Sequence, residues 1–267
     1  MKTVLLLGDP VSRSLSPAMQ NAAFEALQSD CHYQVRQVGR DGLAAAIEDI
    51  RADARIVGAN VTIPDKEAVI PLLDELDPLA RRIGAVNTIS RQGGSLKGWN
   101  TDVVGFQRAL AEVTNNSLPR SRGRVRVGAP EGYGRAAIIG AGGAARAVAA
   151  ALESTSEVWV IARNLDQASR LCRDLDIERG GPVGIDRMQA TIETADLVVN
   201  ATPADLPPVS WLGPDQRLFD LRSRRSTEGR AMLLHQGAAS FEIWTGQAAP
   251  LAVMRAALER SAEGVLA

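Results

Sequence analysis

Short apolar runs alternate with stretches of helical period along most of the chain. In the amino-terminal part, strand-length runs are separated by segments with the spacing of amphipathic helices. The predicted strands are residues 3–7, 33–38 and 56–61, and the predicted helices are residues 18–27 and 43–51. Strands that alternate with helices at this spacing predict a mainly parallel sheet.

A second alternation of the same kind begins at Arg135. Its predicted strands are residues 135–139, 157–161, 196–200 and 216–221, and its predicted helices are residues 140–152 and 166–175. This order is typical of a doubly wound, dinucleotide-binding unit. Helical spacing returns at residues 251–258.

Residues 114–133 separate the two alternations. They are rich in Asn, Ser, Pro, Gly and Arg and have no sustained period, which predicts a long surface excursion. Four arginines alternate within it, at positions 120, 122, 124 and 126. A nucleic-acid patch is one interpretation of this row, but a solvated loop or an edge ribbon is the preferred one.

Composition narrows the functional classes. The chain has 267 residues, 45% of them hydrophobic and 23% charged, with a formal net charge of -1. That balance predicts a soluble enzyme with no nucleic-acid partner and no membrane partner. Two cysteines are too few for a disulfide framework, so a cytoplasmic location is expected, and two distant histidines give no zinc-type spacing.

The strongest local signal is the glycine-rich sequence AAIIGAGGAA at residues 136–145. It combines a strand, a tight turn and a helix start. Gly140 permits the turn, Gly142 lets the backbone approach a pyrophosphate, and Ala145 allows close packing of helix on strand. The helix N-terminus then offers N–H groups to phosphates. The alternative is a glycine-rich loop that binds nothing.

The end of the next strand distinguishes NADP from NAD. An acidic residue there would bind the ribose 2′-hydroxyl, but the sequence reads Ile-Ala-Arg-Asn at residues 161–164. Arg163 offers a planar fork of donors to a 2′-phosphate. NADP is therefore the predicted cofactor and NAD the alternative. Arg163 could instead be an exposed residue at a helix entry.

Three polar clusters in the first alternation are candidates for chemistry. Ser14 and Ser16 precede a predicted helix, where hydroxyls can bind an anion, although N-capping by Ser16 is an equal alternative. Lys66 falls in the predicted first turn of a helix beginning near Pro64. A helix N-terminus disfavours a cation, so a proton-transfer role is one interpretation and a surface ion pair is the other.

Asn87 and Asp102 form the third cluster. Both lie in turn-like, glycine-flanked segments, where polar side chains are positioned for ligands. The alternative for Asp102 is a helix N-cap before Val103, and one residue can serve both purposes.

Seven motifs give the clusters a family context. They are SxSP at 14–17, NVTxPxK at 60–66, GAVNT at 84–88, NTDxxG at 100–105, GAGGA at 140–144, NATP at 200–203 and MLLHQ at 232–236. In this order they resemble the shikimate dehydrogenase family over the whole chain. The resemblance implies an N-terminal three-layer α/β substrate domain and a Rossmann-type doubly wound domain. The implied boundaries are residues 1–103 with a C-terminal helix at about 238–267, and residues 104–237.

The resemblance also implies an activity and its residues. The activity is reversible NADP-dependent oxidation of shikimate to 3-dehydroshikimate, on the route to chorismate and the aromatic amino acids, by a monomer or homodimer. Lys66 would be the acid/base, paired with Asp102. Substrate would be bound by Ser14, Ser16, Thr62, Asn87, Asp102 and Gln236. NADP would be bound by Gly140, Ala141, Gly142, Gly143, Ala144, Ala162, Arg163, Asn164, Gln167, Ala201, Thr202, Leu221 and Gly229.

Several positions depart from the family pattern. Arg13 and Gln20 replace histidines, Gln167 replaces a second basic residue, and Ser223 replaces a tyrosine. Gly229 follows Asp220 by only nine residues, so a helix-forming stretch is missing. The arginines at 222, 224 and 225 read as a solvated loop, or as a contact for a 2′-phosphate or another acid. Alternatives are therefore a paralogue acting on quinate, an aminoshikimate or another cyclic hydroxy acid, and a non-catalytic ligand-binding homologue.

Overall fold

The computed structural model describes residues 1–117, 133–154 and 156–263. Its internal contacts divide the chain into two units. The first comprises Met1–Gly105 and Leu233–Ala267, and the second comprises Phe106–Met232.

The elements of the amino-terminal part alternate as predicted. The strands are β1 (Lys2–Gly8), β2 (Cys31–Gln37), β3 (Ile56–Val61), β4 (Glu75–Leu76), β5 (Thr88–Gln92) and β6 (Ser95–Trp99). The helices are α1 (Ser16–Ala26), α2 (Leu43–Ala52), α3 (Pro78–Ile83) and α4 (Asp102–Ser117).

The remaining elements follow in chain order. The strands are β7 (Arg135–Ile139), β8 (Glu157–Ala162), β9 (Gly180–Gly184), β10 (Leu197–Asn200) and β11 (Arg217–Asp220). The helices are α5 (Gly143–Leu152), α6 (Leu165–Asp174), α7 (Met188–Glu193), α8 (Thr227–Thr245) and α9 (Leu251–Glu263). The chain leaves the first unit within α4 and returns to it within α8.

The sheet of the first unit is covered on both faces. Its strand order is β2-β1-β3-β5-β6-β4, and β1 is parallel to both of its neighbours. Leu6 of β1 packs with residues of α1, α8 and α9, whereas Leu7 packs with residues of α2 and α3. A strand buried on both faces is apolar throughout, which explains the uninterrupted run of β1. The predicted three-layer α/β architecture is confirmed.

The sheet of the second unit is entirely parallel, in the order β11-β10-β7-β8-β9. Ile138 of β7 packs against α5 and α6, and its neighbour Ala137 belongs to a separate core that includes Ile192 of α7. Helices therefore cover both faces, and the predicted doubly wound architecture is confirmed. Strand order changes direction at β10 and β7, and ligands of such sheets bind beside the carboxyl ends of these strands.

Two features of the sheets were not predicted. Strands β5 and β6 form an antiparallel hairpin whose turn contains Gly93 and Gly94, with φ angles of 58° and 104°. Strand β9 has the sequence GGPVG, and glycine and proline disfavour strands. It lies at the sheet edge and pairs with β8 alone. Its proline therefore faces no second strand whose backbone hydrogen bonds it would interrupt.

The prediction of a helix beginning near Pro64 is wrong. Residues 63–69 form consecutive turns, followed by a short 3-10 helix at Ile70–Leu72. The Lys66 carbonyl accepts a hydrogen bond from the Val86 backbone at 2.8 Å. Pro71 has no N–H to donate to the Glu67 carbonyl, so an α-helix cannot continue there.

The predicted excursion is also partly wrong, because α4 continues to Ser117. Residues 118–132, with the arginines at 120, 122, 124 and 126, lie outside the described residues. Over the described ranges, none of the helices combines the length and apolar character that crossing a bilayer requires.

Candidate active site

Lys66 and Asp102 form a nearly buried ion pair in the first unit. The Lys66 Nζ lies 2.5 Å from the Asp102 Oδ2, and the two side chains are 13% and 5% exposed. Lys66 belongs to the turns after β3, and Asp102 is the first residue of α4. A helix N-terminus therefore does not account for the lysine at position 66. Its partner does, since a charge so little exposed to water needs an opposite charge beside it.

Asn87 holds the second oxygen of this carboxylate. Its Nδ2 lies 2.9 Å from the Asp102 Oδ1, 2.8 Å from the Thr101 Oγ1 and 3.2 Å from the Gln236 Oε1. Its Oδ1 accepts a hydrogen bond from the Thr101 backbone at 2.8 Å. The predicted substrate residues Asn87, Asp102 and Gln236 are thus brought together around one carboxylate.

Gly105 of the NTDxxG motif allows this approach. A Cβ at Gly105 would lie 2.6 Å from the Gln236 Cβ and 2.9 Å from the Gln236 backbone nitrogen. Only glycine lets α4 pass this close to α8. The motif therefore supplies Asp102 and also the contact that seats Gln236 beside Asn87.

A buried polar layer supports these residues from behind. The Ser240 Oγ lies 2.8 Å from the Thr88 Oγ1, 3.1 Å from the Thr101 Oγ1 and 3.2 Å from the Asn60 Nδ2. The Tyr33 hydroxyl donates to the Asn60 Oδ1 at 2.8 Å. Hydrogen-bonded buried groups of this kind fix side-chain orientation.

These supporting residues were not singled out from the sequence. Asn60 and Thr101 lie inside recognised motifs, and a signal existed for Asn60, because it interrupts the apolar run of β3. Ser240 carries no such signal, since its partners are far away along the chain: Asn60 is 180 residues distant.

Ser14 and Ser16 lie at the start of α1. Ser16 is buried as the first residue of the helix, and its backbone nitrogen donates to the Ser14 Oγ at 3.2 Å. The N-cap residue is Leu15, whose side chain makes no capping hydrogen bond. N-capping by the Ser16 hydroxyl is therefore contradicted. Thr62 is half-buried just beyond β3, where its backbone nitrogen donates to the Leu7 carbonyl at 2.9 Å.

Replacing Tyr33 with phenylalanine is expected to flatten the alkaline end of the stability profile. Burial raises the pKa of Tyr33 above its ordinary value of 10.0, and a hydrogen bond with Ser16 offsets part of that rise. The stability that the neutral phenol contributes is therefore present below its unfolded-state pKa and is lost as the pH rises further. The free energy of unfolding in urea should fall by about 1 kcal/mol between about pH 10 and pH 11 in the wild type and fall less in the variant.

Tyr133→Phe is the matched control for this measurement. Burial also raises the pKa of Tyr133, but this tyrosine is half-buried, so its replacement should change the profile less. Identical alkaline profiles for the wild type and Tyr33→Phe would contradict the prediction.

In the second unit, the glycine-rich turn joins β7 to α5. Gly140 has a φ of 114° and donates its N–H to the Ile161 carbonyl at 2.8 Å. Gly142 is the N-cap of α5, with no side chain capping the helix in the described part of the chain, and a Cβ there would meet open space. The N-terminal N–H groups of α5 and an approachable backbone at Gly142 fit a pyrophosphate. Ala141, Gly143 and Ala144 belong to the same turn and first helical residues.

Ala162, Arg163 and Asn164 lie where β8 ends and α6 begins. The Asn164 Oδ1 accepts a hydrogen bond from the Gln167 backbone at 3.1 Å, so this side chain caps α6. Arg163 is exposed at the same carboxyl edge of the sheet. Its guanidinium is available to an anion at this edge, which fits a 2′-phosphate.

The remaining predicted cofactor residues lie at the ends of β10 and β11. Ala201 and Thr202 follow β10 directly, and the Ala201 N–H donates to the Ile139 carbonyl at 2.9 Å. The Leu221 N–H donates to the Asn200 carbonyl at 3.0 Å. Gly229 lies in the first turn of α8, where its N–H donates to the Ser226 Oγ at 2.9 Å.

Comparisons with known proteins match both units. Family models match the chain over residues 6–89 (shikimate dehydrogenase substrate binding domain), 132–211 (shikimate / quinate 5-dehydrogenase) and 229–259 (shikimate 5′-dehydrogenase C-terminal domain). The chain is 41% identical to the NADP(+) shikimate dehydrogenase of Moorella thermoacetica, over 94% of this chain and 90% of that protein.

Solved structures give the same result. Shikimate 5-dehydrogenase from Thermus thermophilus, in complex with NADP(H) and shikimate, has a TM-score of 0.80 at 32% identity, covering 98% of this chain and 100% of that one. Quinate dehydrogenase from Corynebacterium glutamicum, in complex with NAD, has a TM-score of 0.80 at 26% identity, covering 97% and 99%. The resemblance read from the seven motifs is confirmed.

Proposed function

Because the chain belongs to the shikimate dehydrogenase family, we propose that it catalyses the reversible NADP-dependent oxidation of shikimate to 3-dehydroshikimate. The observation that carries the proposal is the buried Lys66–Asp102 pair, with Asn87 on the second carboxylate oxygen. A cation and a carboxylate held at hydrogen-bond distance can bind an alcohol and exchange its proton.

The reaction removes two hydrogens from a carbinol. The C–H bond breaks and its electron pair leaves as hydride, for which NADP supplies the acceptor when bound. The O–H bond breaks as well, and its proton passes to Lys66, which must first have released a proton of its own to solvent. In the reverse direction, the Lys66 ammonium protonates the oxygen of the ketone as it is reduced.

Asp102 has two tasks in this scheme. Its Oδ2 holds the Lys66 Nζ, so the amine is fixed in one orientation, and it accepts a hydrogen bond from the substrate hydroxyl. Asn87 keeps the carboxylate from rotating through its contact with Oδ1. Fixed donors and acceptors lower the barrier because the reacting groups need no reorganisation.

The other substrate groups follow the same assignment. Ser14 and Ser16, at the N-terminus of α1, bind the carboxylate, where a helix N-terminus favours an anion. Thr62, Asn87 and Gln236 bind the remaining hydroxyls. The first unit is thus the substrate-binding domain, and the second, with the glycine-rich turn and Arg163, is the NADP-binding domain.

Ser223 favours a second candidate function. The family tyrosine at this position is absent, and the chain passes from Asp220 to the start of α8 without the usual intervening stretch. Without the tyrosine, a substrate contact that the family pattern implies is missing. Quinate, an aminoshikimate or another cyclic hydroxy acid is therefore the alternative substrate.

A cofactor-by-substrate matrix tests the proposal. Purified protein is assayed spectrophotometrically with shikimate, quinate and related cyclic acids, each with NADP and with NAD. We expect the highest kcat/KM for shikimate with NADP. A higher value for quinate would replace the substrate assignment, and binding of NADP without turnover of any acid would identify a non-catalytic homologue.

Arg163→Ala is expected to weaken NADP binding about tenfold or more while changing NAD binding little, because a guanidinium–phosphate contact is lost. Fluorescence titration of both dinucleotides measures the two dissociation constants. Arg170→Ala, which removes another exposed arginine on α6, is the matched control. Equal losses for NADP and NAD would remove Arg163 from the specificity assignment.

A further inference from the structure

The arginine-rich segment after β11 is not simply a solvated loop. The Arg222 Nε lies 3.0 Å from the Asp220 Oδ1 and 2.9 Å from its Oδ2, and the Arg222 Nη2 lies 2.9 Å from Oδ2. The two side chains are 14% and 6% exposed. The ion pair is nearly buried and bidentate, and this geometry holds an arginine side chain most firmly. For Arg222, the solvated-loop interpretation is therefore wrong.

The same guanidinium also holds the segment that follows β10. The Arg222 Nη1 donates to the Ala204 carbonyl at 2.8 Å, and the Asp205 carboxylate lies 3.7 Å from that nitrogen. One planar group thereby joins the carboxyl end of β11 to the segment at residues 201–205, next to the point where the strand order changes direction.

Hydrogen bonds inside that segment continue the connection. The Asn200 Oδ1 accepts from the Thr202 backbone at 3.1 Å and from the Thr202 Oγ1 at 2.8 Å, and the Ala204 N–H donates to the Thr202 Oγ1 at 3.2 Å. The Asn200 Nδ2 donates to the Asp220 Oδ1 at 3.1 Å. Asp220 is therefore shared by Arg222 and Asn200.

On its other side, the segment packs against the glycine-rich turn. A Cβ at Gly140 would lie 2.8 Å from the Thr202 Cγ2 and 3.2 Å from the Ala201 carbonyl oxygen. Ala201 and Thr202 are thus in close contact with the turn, so a displacement of this segment changes the contact with Gly140.

We propose that Arg222 is a positioning residue for the dinucleotide: it fixes residues 201–205 against the turn at Gly140 and so sets cofactor affinity without touching the cofactor. The proposal rests on the proposed function for the identity of the ligand. This role explains why position 222 is an arginine. An unpaired Asp220 carboxylate would be costly at this depth, and the guanidinium also reaches a carbonyl of the segment at residues 201–205.

The test compares Arg222→Lys and Arg222→Met with Arg225→Met as the matched control. Arg225 is exposed and contacts the same Asp205 at 3.2 Å, but within the described residues its side chain does not bond to Asp220 or Ala204. Arg222→Lys keeps a cation beside Asp220, so it tests the proposal even where Arg222→Met does not fold. A lysine ammonium lacks the planar fork and cannot reproduce all of these bonds.

Two readouts are needed. Hydrogen exchange of the cofactor-free protein should show faster exchange at Thr202 and Ala204 in Arg222→Lys, with β7 and β8 unchanged. Titration should show the dissociation constants of NADP and NAD both rising about tenfold, with the KM for shikimate and kcat at saturation nearly unchanged. Arg225→Met should resemble the wild type in both measurements.

Each contrary result has a separate meaning. Wild-type exchange and wild-type affinity in a folded Arg222→Lys would overturn the proposal. A loss confined to NADP would also overturn it, because it would mean that Arg222 contacts the 2′-phosphate directly. A wild-type protein that binds neither dinucleotide would end the proposed function and this inference together, whereas binding of both with no effect of Arg222→Lys would end the inference alone.

Discussion

Lys66→Ala is expected to lower kcat about 100-fold or more, as for the loss of a general acid or base. In the wild type the Nζ lies 2.5 Å from the Asp102 carboxylate, so the amine proposed to receive the proton is held in place by this contact. Without it, the hydroxyl proton must leave through water. Cofactor affinity should change little, because the residues proposed to bind the dinucleotide belong to the other unit.

Steady-state rates with shikimate and NADP, together with a fluorescence titration of NADP, measure the two effects. Lys97→Ala is the matched control, because Lys97 lies on β6 in the same unit and its ammonium packs 4.5 Å from the Trp99 ring centre. Near-wild-type turnover in Lys66→Ala would remove Lys66 from the chemistry and with it the proposed mechanism.

The fold was predictable where one physical signal dominates. Residues 4–7 of β1 and 136–139 of β7 are uninterrupted apolar runs because both faces of each sheet are covered. Residues 56–61 and 135–139 match β3 and β7. The turn at Gly140 was readable because its positive φ and its contact with Thr202 both require glycine.

Prediction failed where long-range contacts override local sequence. β9 is a strand despite its glycines and proline because β8 offers it an edge to pair with. The segment around Lys66 is not a helix because its backbone bonds to Val86, which local pattern does not reveal. Secondary-structure propensity depends on the local sequence, whereas the structures of β9 and of the segment around Lys66 depend on contacts with segments that are distant in sequence.

The candidate site divides in the same way. The chemistry of the motifs was enough to select Lys66, Asn87 and Asp102 as candidates. It did not show that they lie together in the fold, since Lys66 and Asp102 are 36 residues apart. The solvated-loop interpretation of Arg222 failed for a related reason. A run of arginines is usually solvated, and only the nearby carboxylate of Asp220 makes one of them structural.

Asp102→Asn is expected to reduce kcat about 100-fold or more and also to destabilise the first unit. An amide of the same shape can keep the contact with Asn87 but cannot balance the charge of Lys66, which is only 13% exposed. Removing one partner of a buried ion pair lowers the free energy of unfolding by about 3–5 kcal/mol, because the remaining charge is left without a partner. The free energy of unfolding and the steady-state rate should therefore fall together.

The double variant Lys66→Met with Asp102→Asn separates the two effects. Removing both charges leaves none unpaired, so the double variant should unfold at a higher urea concentration than either single variant. Its kcat, by contrast, should stay as low as that of Lys66→Met alone, because in the proposed mechanism the two residues act as one proton-transfer unit. Additive losses in both stability and rate would mean that the two side chains act independently and that the ion pair has no part in catalysis.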